Sequence, residues 1–273
     1  MDKLSLRIFL EVVAQEGWFL EQSDIKTAFL SADNEGTDYV RLPGCVVQRG
    51  ESPVRLLKKA LYGLRRAPRA WNSTFTEWVV SVGFRASESE PCLFLHKEKQ
   101  AMLVIYVNDL LVAAATMEEM SQVQGMLEAR FKTRSFGEPT YFLGMNVAYD
   151  RKGKTLHLSQ QTYVDALMEK YGEFVSIRRS LPIVGGVQLT KEQGELEPTT
   201  KPYSSLVGAL LFLSVSTHPD ICFAVNVLTK FLKCPGKAHW DVAIGVLLYL
   251  GGTRELGIQL GGVRVGGEKG CLG

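Results

Sequence analysis

The hydrophobic positions of this chain change period repeatedly, and each change marks an element. Leu4 to Glu16 carries apolar residues mostly at helical spacing and ends at Gly17, a pattern that predicts a helix with a glycine stop. Trp18 to Ile25 reads as a strand that delivers Asp24 near its end. A second helix is expected from about Pro68 to Val82, with Trp71, Phe75, Trp78 and Val82 on one face. Cys92 to His96, Met102 to Tyr106 and Leu110 to Ala114 form three β-runs, and Met117 to Phe131 returns to helical spacing. Phe136 to Tyr149 suggests a strand pair around Gly144, followed by a short strand at Leu156 to Leu158 and a helix running to Tyr171. After a polar segment containing Pro and Gly, three apolar helices are predicted over Tyr203 to Ser216, Asp220 to Lys233 and His239 to Leu250.

One interruption stands out against this pattern. The stretch MLVIYVNDLLVAA, Met102 to Ala114, is apolar except for Asn108 and Asp109 at its middle. A tight β-turn would account for both, since Asn and Asp tolerate turn geometry. The alternative is a site: flanks this apolar belong to a buried sheet, where a carboxylate must be paired or bind metal.

Composition narrows the setting. At 273 residues, 46% hydrophobic and 22% charged, the chain has an ordinary globular profile and length for one or two domains with a real core. The five cysteines are scattered with no Cys-x-x-Cys pair, which argues for free thiols and against structural zinc. No apolar run approaches a membrane span and no signal-type leader opens the chain, so a cytoplasmic or nuclear location is expected. Net charge is only +2, yet RLLKKALYGLRRAPR, from Arg55 to Arg69, holds six cations and no acid. It reads either as a solvated helix face or as a track for phosphates. The four histidines are dispersed, and His218 and His239 read as turn or capping residues rather than ligands.

Taken together, several motifs resemble the reverse transcriptase of copia-like retrotransposons. They are SDIKTAFL (Ser23–Leu30), YVRLPG (Tyr39–Gly44), KKALYGLRRAPRAW (Lys58–Trp71), YVND (Tyr106–Asp109), YFLGMNV (Tyr141–Val147), LSQQTYV (Leu158–Val164) and YSSLVGALLFLSVSTHPDICFAVN (Tyr203–Asn226), in the family's order. The resemblance implies an α+β fold: a polymerase palm built on a mixed sheet with a catalytic hairpin, followed by a helical thumb or connection region. It divides the chain into palm and partial fingers (1–177), linker (178–202), helical region (203–260) and Gly-rich tail (261–273), with most of the fingers and the RNase H domain missing.

It also implies partners and roles. Primer-template RNA/DNA and nucleoside triphosphates would be the substrates, other segments of a Pol polyprotein possible neighbours, and two Mg²⁺ ions the cofactor. In such chemistry two ions about 3.5–4 Å apart activate the attacking oxygen and steady the leaving one. Asp24 and Asp109 would be the catalytic, metal-holding carboxylates. The family pattern at the hairpin is Tyr-Val-Asp-Asp, so Asn108 replaces an aspartate, and little or no polymerase activity is expected. Thr27 and Ala28 would offer backbone N–H groups to the triphosphate. Phe29 would stand against the ribose 2′-OH, or else be a core phenylalanine, and Tyr62 and Gly63 would line the nucleotide pocket. Arg65, Arg66 and Arg69 would contact template, and Phe142, Leu143, Gly144 and Met145 would form a hairpin that positions the primer, or else a ribbon with a core face.

Overall fold

The structure, a computed structural model, describes residues 2–47, 52–171, 179–186 and 188–262. It divides into two compact units, Met1–Pro139 and Thr140–Gly273. The division falls inside the region read from sequence as one palm, 1–177.

The first unit is organised by a hairpin that almost no polar side chain interrupts. Strands β6 (Ala101–Tyr106) and β7 (Asp109–Ala114) are buried along nearly their whole length. They sit inside an antiparallel sheet of order β4-β5-β6-β7-β1-β8, completed by β1 (Phe19–Ile25), β4 (Phe84–Ala86), β5 (Leu93–His96) and β8 (Thr133–Gly137). Burial on both faces explains why these runs lack alternation. Helices α2 (Ala67–Ser81) and α3 (Met117–Arg130) supply the core on one face. Trp71, Phe75, Val79, Met120, Val123 and Leu127 join Leu103, Ile105, Leu110 and Val112 in a single cluster. Thr116 caps α3 by accepting from the Glu119 N–H at 3.2 Å, and acidic Glu118 and Glu119 stand at the positive end of that helix. Helix α1 (Lys3–Glu16) buries Leu6, Phe9, Leu10, Val13 and Ala14, a helical stripe, and stops at Gly17, whose φ of 68° needs a residue without Cβ.

Three features of this unit depart from the sequence reading. A two-stranded ribbon, β2 (Tyr39–Arg41) with β3 (Val54–Leu56), and the short β4 were not foreseen. Phe136, expected in a strand pair around Gly144, belongs instead to β8, which pairs with β1. Gly137 at φ 72° and Pro139 end β8 before that hairpin begins.

The second unit combines a sheet of order β12-β11-β10-β9 with helices. Strands β9 (Tyr141–Phe142), β10 (Met145–Asp150) and β11 (Thr155–Ser159) follow one another, while β12 (Gly257–Gly261) returns from far downstream to place Leu260 opposite Leu156. Helices α4 (Gln161–Lys170), α6 (Tyr203–Ser216), α7 (Cys222–Thr229) and α8 (Lys237–Gly252) share one core containing Leu206, Leu210, Val225 and Leu247. A 3₁₀ turn at Pro219–Ile221 precedes α7, so the helix predicted from Asp220 starts later. The segment read as a linker contains α5 (Glu192–Leu196), whose Gly194 lies so close to the Cys234 carbonyl that a Cβ would overlap it. The helical region is thus joined to the preceding strands through β12. Of the Gly-rich tail, residues 263–273 lie outside the described residues.

Candidate active site

Register places the polar residues of the first unit in one row. Asp109 lies opposite Tyr106 on β6 and opposite Asp24 on β1, and Asp24 in turn lies opposite Arg134 on β8. Directly opposed residues share a face of the sheet. The row Tyr106, Asp109, Asp24, Arg134 therefore crosses four strands on one face. Asp24 and Asp109 are half-buried, while Tyr106 and Arg134 are exposed.

The hairpin tip is a two-residue turn, Val107 and Asn108. Val107 has φ 61°, a left-handed conformation that costs a β-branched residue about 1–2 kcal/mol. Two bonds hold the turn. The Trp71 indole N–H donates to the Val107 carbonyl at 2.6 Å, and the Ile25 N–H donates to the Asn108 carbonyl at 2.9 Å. The Asn108 carboxamide N–H donates to Asp24 Oδ1.

Electrostatics make this end of the sheet a place for positive charge. Burial, with the nearby Asp24 carboxylate adding to it, pushes the Asp109 carboxyl above its ordinary value. A cation between the two carboxylates would relieve the repulsion. The donor set, however, is thin: among the described residues no three acidic, His or Cys side chains converge as a metal cluster would require. Beside them stands Asn108, whose neutral amide donates to one oxygen of Asp24.

Around this row lie the other residues singled out from the sequence. Thr27, at φ 55°, and Ala28 stand at the first turn of a 3₁₀ helix, Ala28–Ser31. Phe29 is 7% exposed, so the core reading of this side chain holds, yet its ring lies 4.4 Å from that of exposed Tyr62. Phe29 also lines a cavity of about 160 Å³ together with Trp71, Tyr106 and Val107. Gly63, at φ 96°, makes the turn after Tyr62. Arg65, Arg66 and Arg69 are all exposed, but only Arg66 and Arg69 line a second cleft of about 460 Å³, with Asn34, Glu35 and Ser73. Lys59, from the same basic run, is paired with Asp33 at 2.7 Å.

The model of the family "Reverse transcriptase (RNA-dependent DNA polymerase)" matches residues 2–184. This chain is a member of the reverse transcriptase family. It is 33% identical over 261 residues to the retrovirus-related Pol polyprotein from transposon TNT 1-94 of Nicotiana tabacum, covering 91% of this chain and 20% of that protein. It is 32% identical to the Pol polyprotein from transposon RE2 of Arabidopsis thaliana, covering 94% of this chain and 18% of that protein. A transposon Ty5-1 protein of Saccharomyces cerevisiae is 31% identical, over 85% of this chain and 76% of that protein. The chain thus corresponds to a reverse transcriptase domain of copia-type Pol polyproteins, and spans about a fifth of the first two relatives.

In this reverse transcriptase domain the Phe142–Met145 hairpin belongs to the second unit. Phe142 and Met145 are buried, 2% exposed each, so their side chains pack inward and only Leu143 and Gly144 form the tip. Both tip residues are left-handed, at φ 47° and 84°. Gln160, fully buried, donates from Nε2 to the Gly144 carbonyl at 3.2 Å and accepts from the Thr217 hydroxyl at 2.8 Å. Gln160, Trp71 and Arg134 escaped sequence reasoning as site neighbours. Trp71 and Gln160 stood inside quoted motifs, but nothing local reveals a bond to a backbone carbonyl 36 or 16 residues away.

His218 and His239, read as turn or capping residues, are both buried, 1% and 0% exposed, and His218 stands at the N-cap position of the 3₁₀ turn Pro219–Ile221, its carbonyl accepting from the Ile221 N–H at 3.3 Å. His239 Nδ1 also accepts from the Gly236 N–H at 2.8 Å at the start of α8, so the capping reading holds for it. No helix among the described residues is long and apolar enough to cross a membrane.

Proposed function

We propose that the first unit acts as the palm of an RNA-directed DNA polymerase and that the helices of the second form its thumb or connection region, with nucleotidyl transfer crippled at Asn108. The single observation behind this reading is the amide of Asn108 donating to Asp24 in the row that also carries Asp109. Asp24 and Asp109 would hold a divalent magnesium ion, whose oxygen-seeking charge suits carboxylates. Such an ion, when bound, supplies the Lewis acidity that phosphoryl transfer needs. Asn108 contributes no charge to offset a second ion, and its N–H competes for the Asp24 oxygen.

The chain's own residues still fit substrate positioning. The first-turn N–H groups at Thr27 and Ala28 would meet the triphosphate, Phe29 and Tyr62 the sugar, with Gly63 allowing close backbone approach. Arg66 and Arg69, with Arg65 alongside, would meet template phosphates. The Leu143-Gly144 tip, flanked by Phe142 and Met145, would bear on the primer strand.

Primer extension by the native chain beside Asn108→Asp, in Mg²⁺ and in Mn²⁺, tests this. The expected result is a gain of about 10²–10³-fold on restoring the carboxylate, the scale of one dedicated electrostatic group. Robust native synthesis, unchanged by the substitution, would overturn it.

A second reading, a nucleic-acid binder without catalysis, rests on the exposed Arg66 and Arg69 beside one cleft. Filter binding of an RNA/DNA primer-template to the native chain and to Arg65→Ala/Arg66→Ala/Arg69→Ala discriminates: absence of binding in both removes it.

A further inference from the structure

The hairpin that carries Asn108 and Asp109 is held at a strained residue, and a helix shares the holding with the sheet. Val107 adopts φ 61°, where glycine would be at ease and valine is not. Packing does not force this conformation from below, because Val107 and Tyr106 border a cavity of about 160 Å³. The fixed point is the hydrogen bond from Trp71 Nε1 to the Val107 carbonyl, 2.6 Å long. Trp71 is 2% exposed and packs against Phe75 and Phe131, with ring centroids 5.6 and 5.4 Å away, so its indole is anchored in the core of the unit. The next carbonyl along, that of Asn108, is held by the Ile25 N–H of β1 at 2.9 Å. Two successive peptide groups are thus tied to separate elements, α2 and β1.

We propose that Trp71 is a positioning residue of the site: its indole N–H fixes the left-handed Val107 peptide and thereby sets how Asn108 and Asp109 face Asp24. A phenylalanine keeps an aromatic ring there, though a smaller one, and it has no N–H to donate. The proposal rests on the reading that this hairpin carries the chemistry, yet its geometry can be tested without any catalysis.

The test uses the full isotope-labelled chain and reads hydrogen exchange of the Asn108 carboxamide, which is bonded to Asp24 in the native protein. Trp71→Phe removes the donor, and the benzothiophene analogue of tryptophan at position 71 removes it while keeping the bicyclic shape. In both, with the fold checked by circular dichroism and thermal unfolding, exchange should accelerate about tenfold, the scale of one lost hydrogen bond. Adding Val107→Gly to Trp71→Phe should return the rate toward native, because glycine adopts the left-handed conformation without the steric cost that valine bears. A folded benzothiophene variant with native exchange at Asn108 overturns the proposal, as does an acceleration that Val107→Gly fails to reverse. Failure of Asn108→Asp to extend a primer would leave these rates untouched, so the two readings fail separately.

Discussion

Two hairpins of this protein use the same backbone device for different ends. Tyr106–Asp109 and Phe142–Met145 each close a two-residue turn between antiparallel strands. Each places a bulky residue in the left-handed region, Val107 at φ 61° and Leu143 at φ 47°. Each has a turn carbonyl pinned by a side-chain N–H from a neighbouring helix or its cap, Trp71 in one case and Gln160 in the other. The difference lies in what the turn carries. The first presents Asn108 and Asp109 to Asp24, and Asp109 is left with its carboxyl pushed up by burial and by a like charge. The second carries no charge, flanks itself with buried Phe142 and Met145, and ends in a satisfied chain of bonds from Thr217 through Gln160 to Gly144. Strain persists where surrounding structure over-determines it. In the second hairpin that support comes from a satisfied polar network, whereas in the first it holds two carboxylates close to each other.

The largest effect that would sharpen this contrast is on the charged hairpin. Asn108→Asp should raise primer extension by about 10²–10³-fold, and the same assay on any second-hairpin substitution should show no gain. Next in size, Gln160→Leu should cost about 2–3 kcal/mol in chemical denaturation, since it strands the buried Thr217 hydroxyl and the Gly144 carbonyl together. An unchanged midpoint would mean that the network is not what holds the second hairpin.

Neighbouring turn positions should then answer in opposite directions. Gly144→Ala, at φ 84° with Phe212 Cζ 2.9 Å from a built Cβ, should destabilise by about 1–3 kcal/mol. Leu143→Gly should stabilise by about 1 kcal/mol through relief of left-handed strain.

A gentler dependence is expected with acid in the helices of the second unit. Burial pushes the His218 imidazole below its ordinary value despite Asp220, and that of His239 despite the Thr190 carbonyl. The unfolded chain therefore takes up more protons below about pH 6.5. The contribution of both histidines is present above that pH and is lost as pH falls through it toward their folded values. Hydrogen exchange resolved by segment should show helices α6 to α8 loosening as pH drops from 7 to 5. His218→Gln together with His239→Gln should flatten that response, and equal loosening with both replaced would refute the assignment.

The smallest effect concerns the basic cleft: Arg66→Ala and Arg69→Ala should each reduce the slope of log affinity against log salt for a primer-template by about 1. An unaltered slope would take these arginines out of the interface.

Much of the scaffold was legible in the sequence where its period was long and unbroken. Helix α1 with its glycine stop, the α2 face of Trp71 and Phe75, the paired β6 and β7 and the apolar helices α6 and α8 all announce themselves through local patterning. Elements of three residues, such as β2, β3 and β4, carry too few positions to set a period. Strand β12 is recognisable only by its partner β11, about a hundred residues earlier. The same limit moved Phe136 into β8: strand assignment there depends on pairing with β1, which local sequence does not encode.

By itself, then, the sequence determined the family, the amphipathic elements and the identity of the polar pair at the hairpin, because side-chain type and spacing are local properties. Only the tertiary structure decided which residues meet: Asp24 across from Asp109, Arg134 at the end of their row, Trp71 on the Val107 carbonyl and Gln160 between Gly144 and Thr217. Those contacts join residues far apart in the chain, and they are set by strand register and helix packing, which exist only once the whole unit has folded.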